Sequence, residues 1–307
     1  MTRFGKGAVT MKWLKIFLAL LIIAGGAVGG YAFYLYKSIE RTADRMYQPV
    51  TGETEAPKEI IEKEEPFCIL IMGVDERKGD RGRTDTMMVM AVNPRKESAL
   101  LFNIPRDTRT EIAGRGIQDK INHAYAYGGV KMSIETVEQF LDVPIDYYAK
   151  VNMQGFAKIV DALGGVEVDN PFAFRYDGHT FEKGRIHLDG DTALKYARMR
   201  YEDPRGDLGR NERQRRVLKS MIEKAASPGI LANLGTVLES LGSSVTTNIT
   251  FEEMKKLGND YRNAIRQVET LEIKGRGRKI DGIYYLIVSE EEKRRVRSLV
   301  KKQLERD

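Results

Sequence analysis

Three short apolar runs constrain the fold of this chain more than any other feature. They cover Phe67–Met72, Met87–Val92 and Ala99–Ile104, and each is nearly continuous rather than alternating. Continuous runs of this length are typical of strands that are covered on both faces. The turn signal at Asn93–Lys96 is too short for a crossover helix, so we predict that the second and third runs form an antiparallel hairpin. The expected fold class is α/β, with layers of helices on a central sheet.

Helical and extended patterns alternate further along the chain. Helical periodicity predicts helices at Met132–Leu141, Gln154–Leu163, Gly190–Arg200, Asn211–Ala226, Leu231–Leu241, Phe251–Tyr261 and Glu290–Gln303. Extended patterns predict strands at Asp146–Asn152, Val166–Val168 and Ile283–Val288. The single cysteine, Cys68, lies inside the first apolar run, and we expect it to be a buried core residue rather than a reactive one.

The N-terminal region contains an uncharged stretch, Ile16–Tyr36, that is rich in Leu, Ile, Ala and Gly. A helix of this length spans a hydrocarbon core of about 30 Å, and the aromatic residues at its end suit a membrane interface. A cleaved signal peptide is the alternative, but it usually has a shorter apolar region. All four basic residues of segment 1–36 precede the stretch. The positive-inside rule therefore predicts a cytoplasmic tail (residues 1–15), a single-pass membrane anchor (16–36) and an extracellular remainder.

The region after this stretch differs in composition. Residues 37–65 are polar, contain two prolines and are dense in Glu and Lys, so we predict a linker that leads into one folded domain at 66–307. The net charge is +6, but four of these charges lie in residues 1–36, where no acid occurs. The basic balance is thus mostly a property of the anchor, and we expect no nucleic-acid partner.

Charged residues follow or precede the three apolar runs where one edge of the sheet should lie. In an up-down-up meander, Asp75, the pair Arg83 and Asp85, and the pair Arg106 and Asp107 would meet there. Two carboxylates can share a divalent ion, and ligands that are all oxygen favour Mg²⁺. Arginines bind phosphate oxygens in a bidentate manner. The alternative is a set of surface salt bridges at the ends of loops.

A second charged cluster lies between Arg198 and Arg216, where seven arginines and no lysine occur in 19 residues. The exclusive use of arginine favours planar, bidentate recognition of an anion, although a salt-bridged helix is the alternative. On the predicted Asn211–Ala226 helix, Arg210 and Gln214 align with the apolar stripe and should face inward, whereas Arg216 should face solvent. An inward arginine near a helix start needs an anion, either a ligand or an acid of the same domain.

Six motifs occur in a fixed order along the chain: Met72–Arg77, Gly82–Asp85, Ile104–Thr108, Lys120–Ala124, Tyr196–Arg200 and Asp203–Gln214. This ordered set resembles the LytR–CpsA–Psr family over roughly residues 67–290, and most closely its teichoic acid transferases. The resemblance implies a mixed central sheet flanked by helices and an apolar tunnel for a prenyl chain. It also implies an enzyme that transfers an anionic glycopolymer, such as wall teichoic acid, from an undecaprenyl-pyrophosphate carrier to peptidoglycan with formation of a phosphodiester.

Carried over motif by motif, the resemblance also implies the functional residues. The ligands of Mg²⁺ (or Mn²⁺) are Asp75 and Asp85. The pyrophosphate-binding set is Arg83, Arg106, Lys120, Arg198, Arg200, Arg210 and Gln214. The predicted catalytic residues are Asp75, Arg83, Arg106 and Arg210.

Several points stay open at the level of sequence. Asp75 is the candidate general base, although it also serves the metal, and Asp107 could orient Arg106 instead. A hydrolase of lipid-linked pyrophosphates would use nearly the same residues, and a non-enzymatic module that binds anionic polymers is a further alternative. The polymer, the acceptor and the oligomeric state are not determined by these patterns.

Overall fold

The computed structural model of the 307-residue chain describes residues 36–50, 59–75, 82–225 and 244–305, with isolated positions at 26, 29–31, 33, 34 and 227. The strands in chain order are β1 (Phe67–Val74), β2 (Thr84–Asn93), β3 (Ser98–Asn103), β4 (Arg109–Ile112), β5 (Ile117–Lys120), β6 (Tyr147–Asn152), β7 (Val166–Asn170), β8 (Phe174–Tyr176), β9 (His179–Phe181), β10 (Gly184–Leu188), β11 (Val245–Thr247), β12 (Val268–Glu272), β13 (Arg276–Ile280) and β14 (Ile283–Ile287).

The labelled helices are α1 (His123–Leu141), α2 (Met153–Ala162), α3 (Gly190–Arg198), α4 (Asp207–Ala225), α5 (Phe251–Asp260), α6 (Arg262–Arg266) and α7 (Glu290–Leu304). All of the helices and strands predicted within the described residues are therefore confirmed, with shifted ends. The predicted helix Leu231–Leu241 lies outside the described residues. Helix α1 begins at His123, earlier than predicted, because a further helical segment precedes a kink at Gly128 and Gly129. Gly129 adopts a φ of 66°, a conformation that favours glycine.

The central sheet has six strands in the order β11-β6-β1-β2-β3-β12. Strands β1, β2 and β3 form the predicted antiparallel meander, with Met72 opposite Met87 and Val89 opposite Phe102. Strand β6 lies parallel to β1, and β12 lies parallel to β3. The sheet is therefore mixed, as expected. Strand β12 was not predicted because only two of its five residues, Val268 and Leu271, are apolar and they do not alternate with the polar ones.

Both faces of the sheet are buried, which explains the continuous apolar runs. Along β1, Cys68, Leu70 and Met72 enter a core cluster with α1 and α7. The intervening residues of the strand, Ile69 and Ile71, pack into a second cluster on the opposite face with α5 and α6. Cys68 is fully buried, and this burial raises the pKa of its thiol. The expectation that Cys68 is a core residue is confirmed.

The segment predicted as a linker, residues 37–65, packs on the domain in both of its described parts. Residues 36–46 are helical, and Ile39, Thr42, Ala43 and Met46 form a stripe that is turned toward β6 and β11. Their spacing of three and four residues is that of one helix face, and the charged residues between them obscured this pattern in the composition. Further on, Ile61 is fully buried in the second core cluster. The linker prediction is therefore corrected.

The predicted membrane anchor, Ile16–Tyr36, lies almost entirely outside the described residues. Of the helices that the structure does describe, none combines the length and the apolar character needed to cross a bilayer.

Candidate functional site

Strand pairing brings the predicted edge residues together. Strands β1 and β2 pair Val74 with Thr84 after a shift of register, and the backbone N–H of Asp75 donates to the carbonyl oxygen of Arg83 at 3.4 Å. The chain leaves β3 next to the start of β2, because the N–H of Ile104 donates to the carbonyl oxygen of Met87 at 2.8 Å. The residues after β1, before β2 and after β3 thus share one edge, as the meander predicts.

An acidic side chain that sequence analysis had not singled out, Asp207, lies at the centre of three predicted arginines. Its Oδ1 atom is 2.7 Å from Nη2 of Arg210, 3.6 Å from Nε of Arg200 and 4.0 Å from Nε of Arg106. Arg106 has a second acidic partner, because its Nη1 atom lies 2.5 Å from Oδ1 of Asp85. Arginines from three separate segments therefore converge on one place, which we call the arginine cluster: Arg106, Arg200 and Arg210.

The arginine cluster presents buried hydrogen-bond donors that lack an acceptor. Within the described part of the chain, Nε of Arg106 and both Nε and Nη2 of Arg210 make no hydrogen bond. The 2.7 Å contact of Arg210 with Asp207 is an ion pair without hydrogen-bond geometry. Unsatisfied buried donors are costly to a folded protein, and guanidinium forks match phosphate oxygens. The cluster is therefore chemically complementary to a phosphate-bearing ligand.

Arg210 faces inward, as predicted, and is 7% exposed. Burial lowers the pKa of its guanidinium below the ordinary value, and the positive charges of Arg106 and Arg200 lower it further, against the effect of Asp207 and Asp85. The direction of this shift means that the nearby acids do not fully offset the cost of burying this charge beside two other arginines. A bound anion would relieve the repulsion among these arginines.

Gln214 also faces the sheet, as predicted. Its Oε1 atom accepts a hydrogen bond from Nδ2 of Asn103 at 3.3 Å, and the Oδ1 atom of Asn103 accepts one from Nη1 of Arg215 at 3.0 Å. Arg215 is buried and lies 3.7 Å from Glu272. Arg216, which we expected in solvent, is half-buried and pairs with Glu212. Helix α4 is thus buried over a wider arc than its apolar stripe indicated.

A further arginine of the same helix has a structural role. Arg213 is 2% exposed, pairs with Asp203 and donates to the carbonyl oxygen of Met199 at 2.5 Å. Gly209 leaves room for this pair, because a Cβ atom there would lie 1.9 Å from Oδ2 of Asp203. The interpretation of the arginines as a salt-bridged helix is therefore correct for Arg213, although its Nε atom makes no hydrogen bond to a described residue; Arg210 has two such atoms.

Three other predicted phosphate ligands lie outside the arginine cluster. Nζ of Lys120 is 2.6 Å from Oδ1 of Asp107, so that Asp107 holds Lys120 rather than Arg106. The side chains of Arg83 and Arg198 are exposed, and neither forms an ion pair with another described residue. Arg83 directly precedes β2 at the site edge, whereas Arg198 ends α3.

The two predicted metal ligands lie on neighbouring chain segments, Asp75 after β1 and Asp85 within the start of β2. Oδ1 of Asp85 is engaged by Arg106, which leaves Oδ2 as its possible ligand atom. No group of three or more His, Cys, Asp or Glu side chains suited to a metal occurs among the described residues. Mg²⁺ commonly uses one or two carboxylates together with substrate phosphates and water, and the donor set fits such an ion.

A sequence model of the LytR_cpsA_psr family matches residues 33–302. The chain belongs to the LytR–CpsA–Psr family. A relative from Halalkalibacterium halodurans, named polyisoprenyl-teichoic acid–peptidoglycan teichoic acid transferase TagU, is 48% identical over 300 residues, which are 95% of this chain and 99% of the relative.

Solved structures of the LytR–CpsA–Psr family share the fold. The crystal structure of Bacillus subtilis TagU is 44% identical in sequence, with a TM-score of 0.65, over 79% of this chain and 98% of that chain. A structure described as TagT bound to LI-WTA is 28% identical, with a TM-score of 0.68, over 82% of this chain and 94% of that chain. The expected mixed sheet flanked by helices is thus confirmed, whereas the apolar tunnel and the roles of the site residues stay predictions.

Proposed function

We propose that this chain transfers a teichoic acid from a polyisoprenyl-pyrophosphate carrier, such as undecaprenyl pyrophosphate, to peptidoglycan, and that the product is a phosphodiester. The observation that carries the proposal is the arginine cluster with its unsatisfied buried donors. The name of the relative that is 48% identical supports the reaction. The structure of TagT bound to LI-WTA supports a ligand of the same class.

The arginine cluster would hold the pyrophosphate. Arg106, Arg200 and Arg210 come from different segments, so their guanidinium groups can approach one anion from several directions. Asp207 holds these side chains near one another and limits their mutual repulsion. The exposed Arg83, at the edge of the site, would contact a phosphate oxygen closer to solvent. Arg198, Lys120 and Gln214 would line the surroundings of this site.

The reaction would be a phosphoryl transfer. The acceptor hydroxyl oxygen forms a bond to the phosphorus that bears the polymer, the bond from that phosphorus to the bridging oxygen breaks, and the carrier leaves as a monophosphate. Such reactions depend on positioning and charge stabilisation more than on covalent protein chemistry. Preorganised arginines stabilise the negative charge that grows on the leaving phosphate. Asp75 and Asp85 would hold Mg²⁺, which when bound supplies further neutralisation of the diphosphate.

Substitution of Arg83 tests the exposed edge of the site. We expect Arg83→Ala to lower the transfer rate about 10²-fold, because a positioned charge contact is lost. The fold should be unaffected, since the side chain is exposed. The assay measures transfer from a synthetic polyprenyl-pyrophosphate-linked oligosaccharide to peptidoglycan fragments. Arg185→Ala is the matched control, because Arg185 is an exposed arginine on β10. A wild-type rate in Arg83→Ala would remove this residue from the site.

Removal of divalent metal tests Asp75 and Asp85. We expect a chelator to abolish most of the transfer and added Mg²⁺ to restore it, because the diphosphate would otherwise lack part of its neutralisation. Mn²⁺ can serve as a spectroscopic probe, and its electron paramagnetic resonance signal should indicate binding to the wild type but weaker binding to Asp85→Asn. Full transfer in chelator would contradict the metal assignment. Phosphate release in the absence of peptidoglycan fragments would instead support a lipid-pyrophosphate hydrolase.

We also propose that Ile16–Tyr36 anchors the chain in the cell membrane, with the catalytic domain outside the cell. Tyr31, Phe33 and Tyr34 are each more than 60% exposed, and aromatic side chains of this kind suit a membrane interface. Tyr36 contacts Phe251 edge-on, with ring centroids 5.6 Å apart. The end of the proposed anchor therefore lies directly against the folded domain.

A further inference from the structure

A second polar cluster lies at the start of α1, beside the arginine cluster. Oδ2 of Asp119 is 2.7 Å from Nδ1 of His123 and accepts a hydrogen bond from the hydroxyl of Tyr127 at 2.6 Å. The side chains of His123 and Asp119 are 19% and 17% exposed. A carboxylate, an imidazole and a phenol thus form one connected group, which the proposed function has not used.

The backbone ties this group to the edge of the sheet. The N–H of Asn122 donates to the carbonyl oxygen of Arg106 at 3.4 Å, and its carbonyl oxygen accepts from the hydroxyl of Thr84 at 3.5 Å. His123 is the next residue of the chain. Thr84 directly precedes the candidate metal ligand Asp85, and Arg106 forms an ion pair with it. The imidazole is therefore carried by a segment that is fixed to the candidate site.

The electrostatics of the cluster favour one tautomer of the imidazole. Partial burial acts to raise the pKa of Asp119, but the hydrogen bonds from Tyr127 and His123 outweigh it and lower that pKa. The hydrogen bond to Asp119 in turn raises the pKa of Tyr127, which keeps the phenol a donor. An ionised carboxylate accepts a hydrogen bond from the protonated Nδ1, so Nε2 carries the lone pair. Nε2 makes no hydrogen bond within the described part of the chain.

The other candidate bases of the site are engaged elsewhere. Asp85 pairs with Arg106, and Asp107 pairs with Lys120. Asp75 is assigned to the metal. His123 is different, because Asp119 holds its Nδ1 atom and Nε2 makes no hydrogen bond to a described residue.

On the basis of the proposed transferase function, we propose that His123 is the general base that activates the acceptor hydroxyl and that Asp119 is its positioning residue. Nε2 takes the proton as the hydroxyl oxygen bonds to phosphorus, and the electron pair of the broken bond leaves with the carrier phosphate. The proton then passes from the imidazolium to water. Asp119 stabilises the imidazolium by its negative charge, as acids do in comparable histidine–carboxylate pairs.

The test uses the full-length chain in detergent and the substitution His123→Asn, whose amide can still donate to Asp119. We expect kcat to fall about 10²- to 10⁴-fold, which is the usual contribution of a general base. The Kd for a synthetic polyprenyl pyrophosphate should stay unchanged, because the arginine cluster is intact. The acid limb of the pH–rate profile should disappear, since protonation of an imidazole in the wild type blocks the base.

Other charged groups near the imidazole must be separated from it in the pH profile. Arg115 lies 4.3 Å from the ring centroid of Tyr127, and Arg83 acts electrostatically on the same phenol. Both remain charged throughout the range, so they cannot produce an acid limb. Asp119→Asn should move that limb and lower kcat while leaving the Kd unchanged, because it removes the negative charge that orients and stabilises the imidazole and leaves the arginine cluster intact.

His187→Asn is the matched control, because His187 is an exposed histidine on β10, and it should keep the wild-type rate and pH profile. Unfolding temperatures verify that each variant is folded; if His123→Asn is not, His123→Ala with added imidazole should regain activity. A wild-type kcat and an unchanged acid limb in a folded His123 variant would overturn the assignment. Absence of transfer by the wild type would instead contradict the proposed function.

Discussion

Replacement of Arg210 by methionine is expected to lower the transfer rate about 10²- to 10³-fold, as for loss of a preorganised charge contact. The same change should leave the free energy of unfolding nearly unchanged, because Asp207 keeps Arg200 and Arg106 as partners and a buried guanidinium with unsatisfied donors is removed. Activity and stability should therefore move independently at this position.

The physical reason lies in the surroundings of Arg210. Burial and two neighbouring arginines lower the pKa of its guanidinium, and its Nε and Nη2 atoms make no hydrogen bond to described residues. In the absence of ligand the charge is poorly satisfied, and a diphosphate would satisfy it. Methionine removes the repulsion together with the binding contact.

Measurement of this prediction needs three quantities for each variant: the transfer rate, the Kd for a polyprenyl pyrophosphate and the free energy of unfolding. Arg210→Lys is the matched variant, because lysine keeps the charge but lacks the planar fork. It should recover part of the binding and little of the rate. A methionine variant that is both active and unstable would mean that Arg210 has a structural role and would leave the pyrophosphate without its main ligand.

The fold could be predicted from the sequence wherever burial on two faces produced an unmistakable pattern. The continuous runs at β1, β2 and β3 and the short turn between the last two fixed the meander and thus the edge that Asp75, Asp85 and Arg106 share. Strand β12 and the helical segment 36–46 could not be predicted in the same way. The helical segment buries only one face, and β12 contributes a single apolar residue to each core cluster, Val268 to one and Leu271 to the other, so polar residues interrupt both apolar patterns.

The site was predicted less completely, because ion pairs depend on distances between side chains in the folded structure, and the spacing of residues along the sequence does not determine those distances. Helical geometry correctly predicted that Arg210 and Gln214 face inward. It gave no reason to bury Arg213 and Arg215, whose partners Asp203 and Glu272 lie in a loop and in a distant strand. The role of Asp207 also depended on tertiary structure. One available signal was its position in the first turn of α4, where an acid is favoured by the helix dipole.

Replacement of Arg213 by methionine, on the same helix, should lower stability and leave the transfer rate nearly unchanged, which is the opposite of the result expected for Arg210. We expect the free energy of unfolding to fall by about 3–5 kcal/mol, which is typical when one partner of a buried ion pair is removed and the other charge is left without compensation. Arg213 also lies 5.5 Å from the ring centroid of Phe174 and binds the carbonyl oxygen of Met199. These contacts connect α4 to β8 and to the segment that follows α3.

Urea-induced unfolding, followed by circular dichroism, measures this effect. Arg216→Met is the matched control, because its pair with Glu212 is half-exposed and pairs of that kind contribute about 1 kcal/mol or less. Addition of Asp203→Asn to Arg213→Met should recover part of the lost stability, since it removes the uncompensated carboxylate. The transfer rate per folded molecule should change little, because Arg213 has no contact with the arginine cluster among the described residues. A stability loss below about 1 kcal/mol would mean that Asp203 finds another partner and that this pair does not hold α4 in place.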